Sequence, residues 1–354
     1  MRVLQLIDSL AVGGAERMAV NLANLFDRKE IPNILVTSRE IGPLEVFVNK
    51  RDALFCLGKT STLDFRAFFK LVKLTKEFNP THLHVHDSSI FWAVLLKKFL
   101  PKSTLIWHAH YGGFSGAQNR FGDKIKFIAS KIDLVITVNI ELCNWVKQKF
   151  PTIKKVSFIE NFPDLPQTIN RKNTKKEILC LANLKEPKNH HLLIRSFAQF
   201  LKKFPDYRLK LVGTIEDQQY YDSLKEEIMK LKIQANILIA GQTLDLISSF
   251  EDAEFAVLSS DIEGLPVSLL ELGLAKVPII STSVGQCKDL LGNGEYGFLT
   301  PAKNEIKLTE TLIFVAENKE IAIEKALEFN TQVLERYGFK NFISKYFVLL
   351  NPTN

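Results

Sequence analysis

The segment FAVLSSDIEGLPVSLLELGLAKVPIISTS (residues 255–283) contains two short apolar runs separated by a helical pattern. The runs FAVLSS (255–260) and PIISTS (278–283) are typical of buried β-strands. The helix between them is expected to extend from about 266 to 276. Pro266 suits the first turn of this helix, where its missing N–H is not needed. The segment therefore predicts two parallel strands joined by a crossover helix.

The same alternation of short strands and amphipathic helices extends through most of the chain. Further strands are predicted at VLQLI (3–7), NILVTS (33–38), ALFCLG (53–58), THLHVHD (81–87), TLIWHAH (104–110), DLVITVN (133–139), KVSFIEN (155–161), EILCLAN (177–183), YRLKLVGT (207–214) and NILIAG (236–241). Apolar strands that alternate with helices are typical of doubly wound parallel sheets. We therefore predict an α/β protein with two such sheets in tandem.

A break in the pattern separates the two sheets. NFPDLPQTINRKNTKK (161–176) has two prolines, polar and basic residues and no periodicity, which indicates a linker. We predict an N-terminal domain at 1–165, a C-terminal domain at 166–336, and a C-terminal helix at 337–354 that packs back across the domains. Ligands of parallel sheets bind at the carboxyl ends of the strands, so a site is expected in a cleft between the domains.

Composition narrows the class of protein. Of the 354 residues, 46% are hydrophobic and 24% are charged, which fits a soluble folded chain. The net charge of +7 favours an anionic partner, but no basic-aromatic motif indicates nucleic-acid binding. The four cysteines form no CxxC pair and are expected to be reduced, buried thiols of a cytoplasmic protein. No segment approaches the ~20 apolar residues of a membrane span.

Two glycines follow the first strand in SLAVGGAER (9–17). Glycine lets the backbone approach a ligand, and the N-terminus of the next helix offers N–H groups to an anion. Gly13 and Gly14 are therefore candidate ligand-binding residues. The segment is not a GxGxxG motif, and no acidic residue ends the second strand, so a dinucleotide site is not expected. A simple tight turn is the alternative.

Histidines alternate in THLHVHD (81–87) and WHAHYGG (107–113), so their side chains are expected on one face. Two adjacent strands could present clustered imidazoles to a metal ion, but no matching Asp or Cys ligand set is present, and we predict no bound metal. His82 or His84 is a candidate core histidine. His110 ends a strand before Tyr-Gly-Gly and is expected to hydrogen-bond a substrate hydroxyl or phosphate, or to transfer a proton. A structural hydrogen bond is the alternative.

Charged residues mark two further turns. Lys188 lies in the polar turn of LANLKEPKNHHLLI (181–194), where it can neutralise phosphate together with helix N–H groups. Glu263 precedes the helix of the opening segment, Glu271 lies within it, and the N–H groups of 266–269 lie between them. That arrangement can bind a nucleoside diphosphate. A surface lysine and a solvated helix with acidic ends are the alternatives.

With these motifs, the chain resembles the retaining GT-B glycosyltransferases of family 4. Residues 250–300 are similar to the E-x7-E block and the glycine-marked loops of that family. Residues 181–197 are similar to its phosphate-binding segment, and 9–17 to its N-terminal donor loop. The resemblance implies two Rossmann-like domains that face a cleft, with the acceptor bound by the first and a nucleotide-sugar by the second.

The resemblance also implies the reaction. A sugar moves from a nucleotide-sugar, with a UDP-sugar favoured, to a glycan or polyprenyl-linked acceptor, with retention and without a metal or cofactor. The expected role is synthesis of a bacterial surface polysaccharide: capsule, O-antigen or exopolysaccharide. A GT-B nucleotide-sugar epimerase, which converts the donor without an acceptor, is one alternative. A silent nucleotide-binding subunit of a transferase complex is the other.

Site residues carry over by position. Glu271 is expected to bind ribose, and Glu263 to lie near the donor sugar. His110 aligns with the active-site histidine of the family, and a shift of the alignment by two residues would place His108 there instead. The resemblance implies a catalytic group of Glu263, His110 and Lys188, and a donor-binding group of Gly13, Gly14, Asn183, Lys188, Gly264, Leu265, Pro266, Val267, Ser268 and Glu271.

The chain departs from the family pattern at two places. Asn183 stands where an arginine is common, which is expected to weaken diphosphate stabilisation by ~1–3 kcal/mol. Arg17 is a candidate to compensate. The loop VGQCKD (284–289) has Gln286 and Asp289 where Gly-Gly and Glu are common, which would reshape the sugar end of the site.

A membrane surface is a further expected partner. FRAFFKLVKLTKEF (65–78) has an apolar face formed by Phe65, Phe68, Phe69 and Val72, together with four basic side chains. Such a helix can lie on an anionic bilayer, here at the inner face of the plasma membrane. A core-packed helix with solvated lysines is the alternative.

Overall fold

The computed structural model of the chain describes residues 1–110, 122–165, 169, 171 and 175–350. It divides into unit 1, Met1–Phe162 with Phe339–Asn354, and unit 2, Pro163–Gly338. Several expected features fall partly outside the described residues. These are the loop that follows His110, at 111–113, residues 166–168, 170 and 172–174 of the predicted linker, and residues 351–354.

Unit 1 contains a seven-stranded, all-parallel sheet in the order β3-β2-β1-β4-β5-β6-β7. Its strands are β1 (Val3–Ile7), β2 (Asn33–Thr37), β3 (Leu54–Cys56), β4 (His82–His86), β5 (Thr104–Ala109), β6 (Leu134–Thr137) and β7 (Val156–Phe158). Among the described residues before the linker, its helices are α1 (Gly14–Arg28), α2 (Phe65–Phe78), α3 (Ile90–Leu96), α4 (Gly122–Lys126) and α5 (Ile140–Lys149).

Unit 2 contains a six-stranded parallel sheet in the order β10-β9-β8-β11-β12-β13. Its strands are β8 (Glu177–Leu181), β9 (Arg208–Val212), β10 (Ile237–Gly241), β11 (Ala253–Leu258), β12 (Ile279–Thr282) and β13 (Phe298–Thr300). Its helices are α6 (His190–Leu201), α7 (Gln218–Leu231), α8 (Leu246–Asp252), α9 (Val267–Leu274), α10 (Cys287–Leu290), α11 (Glu305–Glu317) and α12 (Lys319–Arg336), and α13 (Phe339–Leu350) then returns to unit 1.

The two sheets share one topology. Counted within each unit, the first six strands follow the order 3-2-1-4-5-6, so the first strand pairs directly with the fourth. The order in which the chain adds strands to the sheet reverses at that pair, and open α/β sheets bind ligands in the crevice outside the carboxyl ends there. The prediction of two doubly wound parallel sheets is confirmed. The short strand β13 was not predicted.

The last helix belongs to the core of unit 1. Along α13, Phe342 and Tyr346 are buried, and the Phe342 ring lies 4.9 Å from that of Phe162 and 5.9 Å from that of Tyr346. The Tyr346 ring also lies 5.8 Å from that of Phe26 in α1. The aromatic face of this helix therefore covers apolar surface of α1 and the sheet.

Other expectations about burial are only partly met. The four cysteines are free thiols, and three are buried, but Cys56 is half-buried. Among the described residues, no helix combines the length and apolar character needed to cross a membrane.

We predict that Phe342→Ala lowers the free energy of unfolding of unit 1 by about 3–5 kcal/mol, because it opens a cavity beneath α13. Phe342 is 2% exposed, whereas Val348 on the same helix is 65% exposed, so Val348→Ala is the control and should change stability by less than ~0.5 kcal/mol. All three tryptophans, Trp92, Trp107 and Trp145, lie in unit 1, so fluorescence during urea unfolding reports this unit. Equal midpoints for the two variants would contradict the packing.

Candidate active site

An ion pair joins the loops that follow β8 and β11 in unit 2. Lys188 Nζ lies 2.7 Å from Glu263 Oε1, and Ser260 Oγ donates to the same oxygen at 2.7 Å. The Glu263 side chain is 7% exposed and that of Lys188 is 22% exposed, so the carboxylate is largely desolvated and the ammonium still reaches solvent. The fold therefore brings together two predicted catalytic residues that are 75 positions apart.

Backbone and side-chain bonds hold these two loops in register. Asn189 accepts a bond from Leu192 N–H at 3.1 Å, which caps α6, and its amide donates to Asp261 Oδ1 at 2.9 Å. Asp261 N–H in turn donates to Pro187 O at 2.8 Å. The turn that carries Lys188 is thus fixed at both ends to the loop that carries Glu263.

The start of α9 differs in detail from the expectation. Pro266 precedes the helix as its N-cap, and Leu269 N–H donates to Pro266 O at 3.1 Å. Of the four N–H groups expected to face a ligand, proline has none and Leu269 uses its own. Val267 and Ser268 keep the N–H groups that a helix start leaves without an intrahelical acceptor. Glu271 lies inside this helix and is buried.

The VGQCKD loop supports the backbone of Glu263 and Gly264. Gln286 N–H donates to Gly264 O at 3.2 Å. Gly285 has a left-handed φ of 49°, and a Cβ there would lie 2.0 Å from Glu263 O. Close contact with the backbone therefore requires glycine at position 285. The partly buried side chain of Leu265 packs on the adjacent hydrophobic core.

The position where the family commonly has an arginine is occupied by an amide bonded to a carboxylate. Asn183 Nδ2 donates to Glu216 Oε1 at 2.5 Å, and Lys185 Nζ lies 2.5 Å from Glu216 Oε2. A cation is thus present in this turn, but it is paired with Glu216. Arg17 lies in unit 1, where its guanidinium stacks 4.4 Å from the ring centroid of Phe47.

In unit 1, four histidines form a compact group at the ends of β4 and β5. The ring centroids of His86 and His110 are 5.1 Å apart, those of His84 and His108 are 5.2 Å apart, and those of His108 and His110 are 4.0 Å apart. The prediction that alternate histidines share a face is confirmed. His108 is fully buried, whereas His110 is partly exposed, so of these two it is His110 that can contact a ligand.

Three of these imidazoles are close enough to hold a metal ion. Ligand nitrogens of His84, His86 and His108 lie within 4.8 Å of one another. The same rings already share hydrogen bonds: His84 Nε2 is 3.1 Å from His108 Nδ1, and His86 contacts Gln5 Oε1 at 3.1 Å and His110 Nε2 at 2.9 Å. A metal ion at this place would have to replace those bonds.

An acidic residue that the sequence analysis did not select lies beside His110. Asp87 directly follows β4, has a left-handed φ of 45°, and accepts a bond from His110 N–H at 2.9 Å. Burial raises the pKa of Asp87 to about 7, with the charges of Glu16 and Asp8 adding to the shift and the His110 bond opposing it. Burial lowers the pKa of His110 to about 3. The position of Asp87 directly after β4, at the carboxyl end of that strand, was the sequence signal that could have identified it.

The two glycines that follow β1 are not confined by neighbouring backbone. Gly13 is the N-cap of α1 with an extended φ of −164°, and Gly14 begins the helix. A Cβ at Gly14 would meet no atom within 4 Å, while one at Gly13 would meet the movable end of Glu16. Neither glycine is required by backbone strain, so any need for glycine at Gly14 would come from a ligand.

Comparison with known proteins identifies the family. Residues 161–332 match the family described as glycosyl transferases group 1, and residues 12–166 match glycosyltransferase family 4. The chain belongs to the family 4 type of glycosyltransferase. This confirms the resemblance stated from the sequence motifs and the expectation that the protein is an enzyme.

Relatives of this glycosyltransferase span nearly its whole length. It is 25% identical over 347 residues to an uncharacterized glycosyltransferase of Haemophilus influenzae, covering 95% of this chain and 96% of the relative. It is 28% identical over 299 residues to the O-antigen biosynthesis glycosyltransferase WbnH of Escherichia coli, covering 80% and 82%. A solved structure of Anabaena HepE in complex with UDP-glucose superimposes with a TM-score of 0.78 at 15% identity, covering 100% of both chains. The fold is therefore GT-B.

We predict that Gly285→Ala lowers the free energy of unfolding by at least ~1–3 kcal/mol, because it places a Cβ against Glu263 O and strains a left-handed position. Gly14→Ala is the matched control, since its Cβ meets open space, and should change stability by less than ~0.5 kcal/mol. Thermal unfolding followed by circular dichroism measures both. An unchanged unfolding temperature for Gly285→Ala would contradict the described loop.

Proposed function

We propose that this glycosyltransferase transfers a sugar from a UDP-sugar to a glycan or polyprenyl-linked glycan acceptor, with retention and without a metal or cofactor, in bacterial surface polysaccharide synthesis. The observation that carries the proposal is the Lys188–Glu263 ion pair beside the N-terminus of α9. The name of the Escherichia coli relative and the UDP-glucose bound by HepE support the pathway and the donor.

Transfer requires stabilisation of two opposite charges. The bond between the anomeric carbon and the diphosphate oxygen breaks, so negative charge grows on the leaving group and positive charge on the sugar. Lys188 and the N–H groups of Val267 and Ser268 stabilise the leaving diphosphate. Glu263 lies against the developing positive charge, and Glu271 binds the ribose hydroxyls.

The acceptor attacks on the face that the diphosphate leaves. Its oxygen forms the new bond to the anomeric carbon, and its proton passes to the departing phosphate oxygen, so the configuration is retained. His110 in unit 1 is neutral at physiological pH, because burial holds its pKa at about 3. It serves as a hydrogen-bond partner for a substrate hydroxyl and carries no charge to the reaction.

A silent nucleotide-binding subunit is the second candidate. The observation that favours it is the Asn183–Glu216 bond, which places a carboxylate where the family commonly has a cation. Such a protein would bind the nucleotide-sugar but would not cleave it, so no nucleoside diphosphate would be released. An epimerase would instead convert the donor sugar with no acceptor present.

The first experiment is a panel of nucleotide-sugars with the purified full-length chain in EDTA, read by thermal shift and by nucleoside diphosphate release. We expect one UDP-sugar to raise the unfolding temperature and to be slowly hydrolysed. Stabilisation without release would support the silent subunit, and a new sugar epimer would support the epimerase. Release that requires an added divalent metal would contradict the metal-independent reaction.

Variants then test the site with the active donor. Lys188→Gln should lower kcat by about 10²–10³-fold, because it removes the positive charge that stabilises the leaving diphosphate. The glutamine amide can still contact Glu263. Glu271→Gln should raise the donor KM at least tenfold, because it weakens ribose binding. Lys185→Gln is the control, a lysine of the same turn that is also paired with a carboxylate. Equal kinetics for Lys188→Gln and Lys185→Gln would remove Lys188 from the site.

We also propose that α2 contacts an anionic membrane surface. The expected apolar face is divided: Val72 is buried and Phe68 packs 5.7 Å from the ring of Trp92, whereas Phe65 and Phe69 are 67% and 62% exposed. Two exposed aromatic rings on a helix that also carries arginine and lysines suit the interface of an anionic bilayer.

Flotation with vesicles tests this contact. We expect the chain to float with phosphatidylglycerol vesicles, less with pure phosphatidylcholine, and Phe65→Ser/Phe69→Ser to reduce the floating fraction several-fold. Ile306→Ser/Met229→Ser removes two exposed apolar side chains from unit 2 and is the control. An equal loss in both double variants, or no flotation of the wild type, would contradict the proposal.

A further inference from the structure

We propose that Gln5 and His86 are positioning residues that hold the His110 imidazole in one tautomer, with the proton on Nε2 and an acceptor lone pair on Nδ1. The inference rests on the proposed function only in assigning that lone pair to a substrate hydroxyl. Gln5 lies on β1, His86 at the end of β4, and His110 just after β5, so three adjacent strands form the chain of contacts.

The hydrogen bond between Gln5 and His86 sets the donor and acceptor roles along this chain of contacts. Gln5 Oε1 lies 3.1 Å from His86 Nε2, and an amide oxygen can only accept, so that nitrogen carries a proton. A neutral imidazole has one donor and one acceptor nitrogen, which makes His86 Nδ1 an acceptor. His110 Nε2, at 2.9 Å from it, must therefore donate.

Neutral rings are what this environment favours. Burial lowers the pKa of His86 well below its ordinary value and that of His110 to about 3, so neither imidazole is charged at physiological pH. Each ring then exists as one of two tautomers, and the contact with Gln5 decides between them. A change in Gln5 would therefore be transmitted to His110 through His86.

The chain of bonds ends at an atom that is ready for a ligand. His110 Nδ1 is buried and has no hydrogen-bond partner among the described residues. The bond from His110 N–H to Asp87 Oδ1 fixes the backbone that carries the ring. A buried acceptor of this kind calls for a donor, and a sugar hydroxyl has the required chemistry.

His84 provides an internal comparison for His86. His84 lies on the same strand and is as buried as His86, but its nitrogens contact Tyr346 Oη at 3.0 Å and His108 at 3.1 Å. Loss of His84 would disturb the packing of the histidine group without removing a bond to the His110 ring. The two histidines therefore separate positioning from simple core stability.

The test reads the tautomer directly. Long-range ¹H–¹⁵N correlation spectra of histidine-labelled full-length protein report which ring nitrogen carries the proton, and His110→Gln assigns the His110 signals. We expect the Nε2-protonated form in the wild type, in Gln5→Glu, which keeps an acceptor oxygen, and in His84→Leu. Gln5→Met and His86→Leu should give a mixture of tautomers.

Kinetics with the active donor supply the second readout. Gln5→Met and His86→Leu should lower kcat at least tenfold with the donor KM within about twofold, and Gln5→Glu should restore most of the lost kcat. A wild-type His110 protonated on Nδ1, or an unchanged tautomer in both His86→Leu and Gln5→Met, would overturn the inference. Absence of transfer with every donor would contradict the proposed function and leave the spectra to decide the tautomer.

Discussion

The direct pairing of the first strand with the fourth in each parallel sheet is the constraint on which both groups of candidate residues depend. In unit 1, β1 pairs with β4, and in unit 2, β8 pairs with β11. Because helices leave these strands toward opposite faces of the sheet, the loops at their carboxyl ends diverge and expose polar groups. Lys188 and Glu263 meet at that point in unit 2, and Gly14 and Asp87 follow the corresponding strands of unit 1.

The two units place side chains of different charge at the carboxyl ends of these paired strands. Unit 2 offers a lysine ammonium and helix N–H groups, which suit a diphosphate. Unit 1 offers neutral imidazoles and the carboxyl groups of Asp8 and Asp87, and Asp8 already accepts bonds from Ser38 and Ser88. Such acceptors suit hydroxyl groups better than phosphates. This division of chemistry agrees with a proposed nucleotide-sugar on unit 2 and a sugar acceptor on unit 1.

Hydrogen bonds among buried polar groups stabilise both groups of candidate residues. Glu263 is stabilised by Lys188 and Ser260, and the histidines of unit 1 are stabilised mainly by one another. A desolvated charge or imidazole is costly unless it is hydrogen-bonded, so each group fixes its neighbours in place.

The sequence by itself determined the class of fold and most of the candidate residues, because apolar periodicity and the spacing around Glu263 and Glu271 are local properties. It predicted the strands closely but not their order. Only the tertiary structure decided that β8 lies beside β11 and that His110, unlike the fully buried His108, is partly exposed. It also placed Asp87 and His86 against His110, and Gln5 against His86. The physical reason is that local periodicity decides which face of a strand is buried, whereas hydrogen bonds between distant residues depend on which strands lie side by side.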